Sequence, residues 1–122
     1  MPDDVPMLRV RLQDQVTVIG FSGEFDSLND DIMHATEQSV LEAVAAAERP
    51  AVVFDLSGTR YVGSAFLQML VRAWHRLGSR EGTLAICGVQ EFCRKVLSSS
   101  GLDRLWVIYR SREEAVSALR QV

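Results

Sequence analysis

The chain has 122 residues, with 13 basic and 16 acidic side chains and a formal net charge of −3. At roughly 150 residues per domain, that is the length of one compact domain, long enough to fold without a metal or disulfide staple. An apolar share of 48% and a charged share of 24% exclude disorder and collagen-like repeats, and the mild acidity argues against the basic stripe that a nucleic-acid partner needs.

Residues 7–13 alternate, with Leu8, Val10 and Leu12 on one side and Arg9, Arg11 and Gln13 on the other, the period of a half-buried strand with one wet face. Asp14-Gln15 is a short polar break before a β-rich run at 16–21. The pair reads as a hairpin, although Asp-Gln is not a favoured turn dipeptide. Residues 23–26 end the second strand. Asp26 or Ser27 can cap the helix that follows, and Asp30 and Asp31 suit its positive end. Ile32, Ala35, Thr36, Ser39, Val40, Ala43, Val44 and Ala47 recur at helical spacing until Pro50. The nearly continuous apolar run at 51–56 predicts a strand covered on both faces.

After a loop at 57–63, a wide stripe of Phe66, Leu67, Leu70, Val71, Ala73, Trp74 and Leu77 predicts a second helix, with Gln68, Arg72 and Arg76 outward. Residues 83–87 read as a buried strand. Residues 90–98 read as a short helix with Phe92, Cys93, Val96 and Leu97 inward, closed by Gly101. Residues 105–109 read as a last strand, and Ser111-x-x-Glu114 as a capping box opening a terminal helix. The order is β-β-α-β-α-β-α-β-α, an α/β fold with a mostly parallel sheet and one antiparallel edge.

Two features could carry chemistry. Ser64, following Gly63 at the start of the second helix, sits where unpaired N–H groups and the positive dipole end favour an anion. It suits a phosphoacceptor, a nucleophile or an anion site, and it equally suits a plain N-cap. The Gly-x-Ser-x-Gly pattern of a nucleophile elbow is absent. The acids Glu24, Asp26, Asp30 and Asp31 could do acid–base work or hold Mg²⁺, but capping and solvation account for them more simply. His34 and His75 are each the lone histidine of their helices and read as surface residues. Trp74 and Trp106 read as core or contact rim, and Arg72, Arg76 and Arg80 as a solvated face. Cys87 and Cys93 are too few for a disulfide framework and lack metal-ligand spacing. Asp3 and Asp4 stand where a signal peptide needs basic residues, and no apolar run approaches the roughly 18 residues of a membrane span. The expectation is a cytoplasmic single domain over 1–122 with no cofactor, no metal and no assembled catalytic set.

Five segments in order resemble the STAS family of sulfate transporters and anti-sigma factor antagonists, over residues 7–119. Gly23-Glu24-Phe25-Asp26 is similar to the family's Gly-Glu-Leu-Asp, and Val53-Phe54-Asp55-Leu56-Ser57 to its third-strand signature. Tyr61-Val62-Gly63-Ser64-Ala65-Phe66-Leu67 lies where the family has aromatic-apolar-Asp-Ser-Ser/Thr/Ala-Gly-Leu. Leu84-Ala85-Ile86-Cys87-Gly88 and Ser100-Gly101-Leu102 match its fourth strand and third-helix ending. The resemblance implies a bacterial regulatory module rather than an enzyme. Its partner would be an anti-sigma factor that is a serine protein kinase of the histidine-kinase-like ATPase fold, with a phosphatase reversing the phosphorylation. It also implies a partner face of Glu24, Asp26, Ser27, Ser57, Gly63, Ser64, Ala65, Phe66 and Leu67.

The departures are specific. The family's Asp is Gly63 and its glycine is Phe66, which either fills space at the docking face or packs inward. The usual acceptor position is Ala65, which has no hydroxyl, and Ser64 matches the preceding family serine. Either Ser64 has become the acceptor, or the chain is a non-phosphorylated scaffold or adaptor. A small-molecule-binding or hydrolytic α/β protein is the third alternative.

Overall fold

The computed structural model describes residues 7–23 and 30–120. Strands β1 (Met7–Gln13) and β2 (Val16–Ser22) form an antiparallel hairpin. They are followed by α1 (Asp30–Ala46), β3 (Ala51–Gly58), α2 (Ser64–Gly78), β4 (Thr83–Cys87), α3 (Glu91–Ser99), β5 (Val107–Tyr109) and α4 (Arg112–Leu119). This is the element order read from the sequence. The five strands lie side by side in chain order, antiparallel between β1 and β2 and parallel thereafter.

That order determines where the helices go. Each β-α-β crossover steps to the next strand in the same direction, so a constant crossover hand puts every connecting helix on one face. The larger core accordingly joins α1 (Met33, Val40, Val44), α2 (Phe66, Met69, Leu70, Ala73, Leu77) and α3 (Cys93, Leu97) to Ile19, Phe21, Phe54 and Ile86 of the sheet. The opposite face packs Val16, Val18, Val53, Ala85 and Cys87 against Ala115, Val116 and Leu119 of α4. Both faces of β3 are thus covered, as its apolar run requires.

Four local readings are corrected. Val10 and Leu12 share the α1 side of β1 but are 48% and 74% exposed. β1 is an edge strand, and an open cleft separates Leu12 from Ala46 and Ala47 at the end of α1. Phe92 does not point inward; it is exposed and tilts against Tyr61 with ring centroids 5.1 Å apart. The last strand starts at Val107, because Leu102–Arg104 form a turn of 3-10 helix first. Arg80 is not merely solvated: its guanidinium donates to the carbonyls of Val44 (2.8 Å) and Ala47 (2.7 Å), capping α1 from outside.

Asp14 and Gln15 both have positive φ, 49° and 70°, so the polar break is a left-handed two-residue turn built without glycine. Side chains in that region cost roughly 1–2 kcal/mol relative to glycine's free access. Ser111 accepts from the Glu114 N–H at 3.2 Å while the Glu114 carboxylate accepts from the Arg110 N–H, so the capping box is present, its return bond shifted back one residue. Trp74 and Trp106 meet edge to face at 6.0 Å, Trp106 buried and Trp74 half-buried.

Gln15→Gly should raise stability by about 0.5–1 kcal/mol, the gain at the turn being offset by the looser unfolded chain. Urea denaturation at constant m-value checks this, and a lower midpoint would overturn it.

Candidate functional site

The β3–α2 loop and the first turns of α2 lie at the carboxyl ends of the parallel strands, the edge where open α/β sheets place their sites. The loop is held from several sides. Gly58 passes so close to β2 that a Cβ there would stand 2.7 Å from the Phe21 carbonyl oxygen. Its own carbonyl accepts from the Gly23 N–H at 3.0 Å, tying the end of β2 to the loop. Thr59 is fully buried; its hydroxyl donates to the Tyr61 carbonyl at 3.2 Å and its N–H to the Leu56 carbonyl at 3.1 Å. Gln90 Nε2 donates to the Ser57 carbonyl at 2.7 Å.

From this loop the chain enters α2 with Gly63 as N-cap, its backbone extended and with no side chain capping the helix. Ser64 is therefore the first helical residue rather than the cap, and its hydroxyl is exposed. The N–H groups of Ser64 and Ala65 have no carbonyl within the helix to bond. No acidic residue occupies the first turn of α2. Beside Ser64 runs a shallow groove of about 430 Å³ between α2 and the end of α3, with an apolar floor of Leu67, Val71 and Leu102 and a polar rim of Gln68, Arg72 and Ser100. Arg72 reaches Glu37 of α1 at 2.6 Å, fixing one wall.

The face read from the sequence is thus brought together in part. Ser57 and Ser64 are exposed, and Gly63, Ala65 and Leu67 are half-buried. Glu24, Asp26 and Ser27 lie outside the described residues, as does the helix cap assigned to Asp26 or Ser27. Phe66 takes the inward placement. It is fully buried and meets Phe21 edge to face at 5.0 Å, and it seats the first turn of α2. Sequence reasoning missed Thr59, Gln90 and Leu102. The latter two meet the loop or groove only through the fold, while a threonine after Asp-Leu-Ser-Gly carries no distinctive signal of burial.

His34 and His75 are exposed, and no group of three or more His, Cys, Asp or Glu among the described residues could hold a metal ion. Cys87 and Cys93 are both free and buried. The Cys87 thiol is pushed up to about 12 from an ordinary 9.0, by burial first, then by the nearby charge of Asp55 and the hydrogen bond donated to it. Burial also raises Cys93. Neither is a reactive thiolate at neutral pH.

The fold and site define an α/β domain that displays an uncommitted serine at a helix N-terminus beside an apolar groove. The family model described as Mlab, STAS domain matches residues 8–109. The anti-sigma F factor antagonist of Paenibacillus polymyxa is 23% identical over 107 residues, covering 88% of this chain and 89% of its own length. An anti-sigma-factor antagonist (STAS) domain protein from Planctomyces limnophilus superposes with a TM-score of 0.82 at 34% identity, over 92% of this chain and 97% of that one. An anti-sigma factor antagonist from Mycobacterium paratuberculosis gives 0.81 at 30% identity, over 98% and 97%. The chain belongs to the STAS domain family, among domains similar to anti-sigma factor antagonists. No helix among the described residues is long and apolar enough to cross a membrane.

The raised Cys87 value has a consequence for pH. The unfolded thiol ionises near 9.0 and the folded one near 12, so the stability it contributes is whole below pH 9 and is lost as pH rises toward 12. Urea midpoints should fall across that window, and Cys87→Ala should flatten part of the fall. An identical slope in wild type and variant would overturn the assignment.

Proposed function

We propose that this chain is an anti-sigma factor antagonist acting in the bacterial cytoplasm. It docks an anti-sigma factor through the β3–α2 loop and the groove beside α2, and phosphorylation of Ser64 releases that partner. The observation carrying this reading is the exposed Ser64 hydroxyl, free of any capping duty, at the rim of an apolar groove. The partner is a serine protein kinase of the histidine-kinase-like ATPase fold, and a phosphatase resets the switch. The family resemblance adds Glu24, Asp26 and Ser27 to the proposed partner face. The role is that of a regulatory binder, not an enzyme.

The electrostatics support a switch confined to the interface. A phosphoserine carries about −1.5 to −2 charges. At the first helical position this charge meets the positive dipole end, an arrangement worth about 0.3–1 kcal/mol in favour of the helix. The fold therefore tolerates the modification, while a partner seated on Leu67 and Val71 must bury or displace a dianion. The second reading, a scaffold subunit that docks without phosphorylation, draws on Ala65 at the family's usual acceptor position.

The test uses the partner recovered from native cells by the full chain. Ser64→Ala should bind it like wild type. Ser64→Glu should bind at least about tenfold more weakly, a loss of about 1.4 kcal/mol, while its melting temperature stays level or rises. Equal binding by wild type and Ser64→Glu, with no phosphate on the Ser64 peptide by mass spectrometry, would sink the switch and favour the scaffold.

A further inference from the structure

Among the described residues, the face of the sheet opposite α1, α2 and α3 is covered by the eight residues of α4. Toward the β1 edge that cover stops, and an open cleft of about 310 Å³ remains between β1, the carboxyl ends of β2 and β3, and the start of α4. Its floor includes Val18 and Gly20. An added Cβ at Gly20 would meet nothing closer than the Arg9 carbonyl oxygen at 3.8 Å, so the glycine leaves the floor open.

Three arginines stand around this cleft. Arg9 and Arg11 lie on β1 opposite Gly20 and Val18 in the strand register, and Arg112 opens α4 on the other side. Among the described residues the lining acid is Asp55, one of whose oxygens accepts from the Ser57 N–H at 3.0 Å. Arg112 Nη1 is 3.9 Å from the other Asp55 oxygen, and Nη2 is 3.6 Å from the exposed Glu113 carboxylate. Both separations exceed the 2.7–3.2 Å of a good N–H···O bond. Arg112 Nε is buried and has no hydrogen-bond partner. Arg9 and Arg11 make no ion pair among the described residues. Among the described residues the lining thus sets Arg9, Arg11 and Arg112 against Asp55, with Glu113 beside Arg112, in a protein whose net charge is −3.

We propose that this cleft binds a small phosphate monoester. The chemistry of the lining selects that class. The excess of positive charge among the described lining residues suits a phosphoryl dianion, and planar guanidiniums reaching in from β1 and from α4 can each engage different oxygens of a tetrahedral group. The volume lies at the small end of ligand clefts, enough for a phosphorylated sugar or similar metabolite. The exposed Ser22 and Ser57 at the mouth provide neutral polar groups for the ester's hydroxyls. The cleft opens on the sheet face opposite the α2 groove, its mouth shares Ser57 and Gly58 with the β3–α2 loop, and its lining does not include Ser64.

The experiment is a titration of the ¹⁵N-labelled full chain with glucose 6-phosphate, followed by amide shifts at low salt. The shifts of Gly20, Ser22, Ser57 and Gly58 should move together and saturate by about 10 mM ligand, and raising the salt should weaken binding. The double variant Arg9→Gln/Arg11→Gln, both positions being exposed, should fold normally and lose at least about tenfold in affinity. Ser64→Ala should bind as wild type does. Absence of saturable shifts at these amides, unchanged affinity in the double variant, or equal binding of unphosphorylated glucose would overturn the proposal. Tighter binding of citrate than of glucose 6-phosphate would overturn the ligand class.

Discussion

Strand order is the constraint on which the rest of this structure depends. Because each crossover moves one strand along in the same direction, α1, α2 and α3 share one face, and among the described residues α4 covers the other. The crowded face builds the larger core and presents the N-terminus of α2 at the carboxyl edge of the sheet. Among the described residues, the sparse face leaves Arg9 and Arg11 of β1 exposed beyond α4. The Ser64 groove and the arginine-lined cleft are two outcomes of that single asymmetry, on opposite sides of one sheet.

Within the crowded face, Phe66 connects core and surface. An α-helix turns about 100° per residue, so seating Phe66 inward against Phe21 leaves Ser64 exposed and Ala65 and Leu67 half-buried. A hydroxyl at 64 rather than 65 is turned by that angle about the helix axis and shifted by about 1.5 Å along it. The kinase proposed to act on this serine would therefore meet the hydroxyl from a different side of α2. The loop before it is pinned by Gly58, Thr59 and Gln90, so little reorientation of the backbone is available to compensate.

The sequence made the element order legible because the periods are strong: the apolar run of β3 and the wide stripe of α2 admit few other structures. Ser64 was legible as a helix start for the same reason, though the duty of N-cap belongs to Gly63. What stayed hidden depended on neighbours. Alternation in β1 shows that Val10 and Leu12 share a side, but not that this side lies past the end of the helical cover. Phe92 fits an inward position on a helical wheel until the adjacent Tyr61 offers it a partner at the surface. Arg80 became a cap only because the fold carries it to the C-terminal carbonyls of α1, 36 residues earlier at Val44. The Arg9–Arg11–Arg112 grouping joins the two ends of the chain, and no local pattern could have announced it.

Net charge proves a poor guide to where ions matter here. The overall −3 conceals a cationic cleft on one face and an acid-free helix start on the other. Both are places where negative charge is met by donors instead of by carboxylates. At the α2 start those donors are backbone N–H groups and the helix dipole, whose influence fades within a turn and is screened by salt. At the cleft they are full cations facing a partly enclosed volume, where screening is weaker. A phosphate attached covalently, as proposed for Ser64, needs no affinity of its own, so the dipole would suffice there. A diffusing anion must be held against its entropy of binding, which is why the stronger field belongs in the cleft.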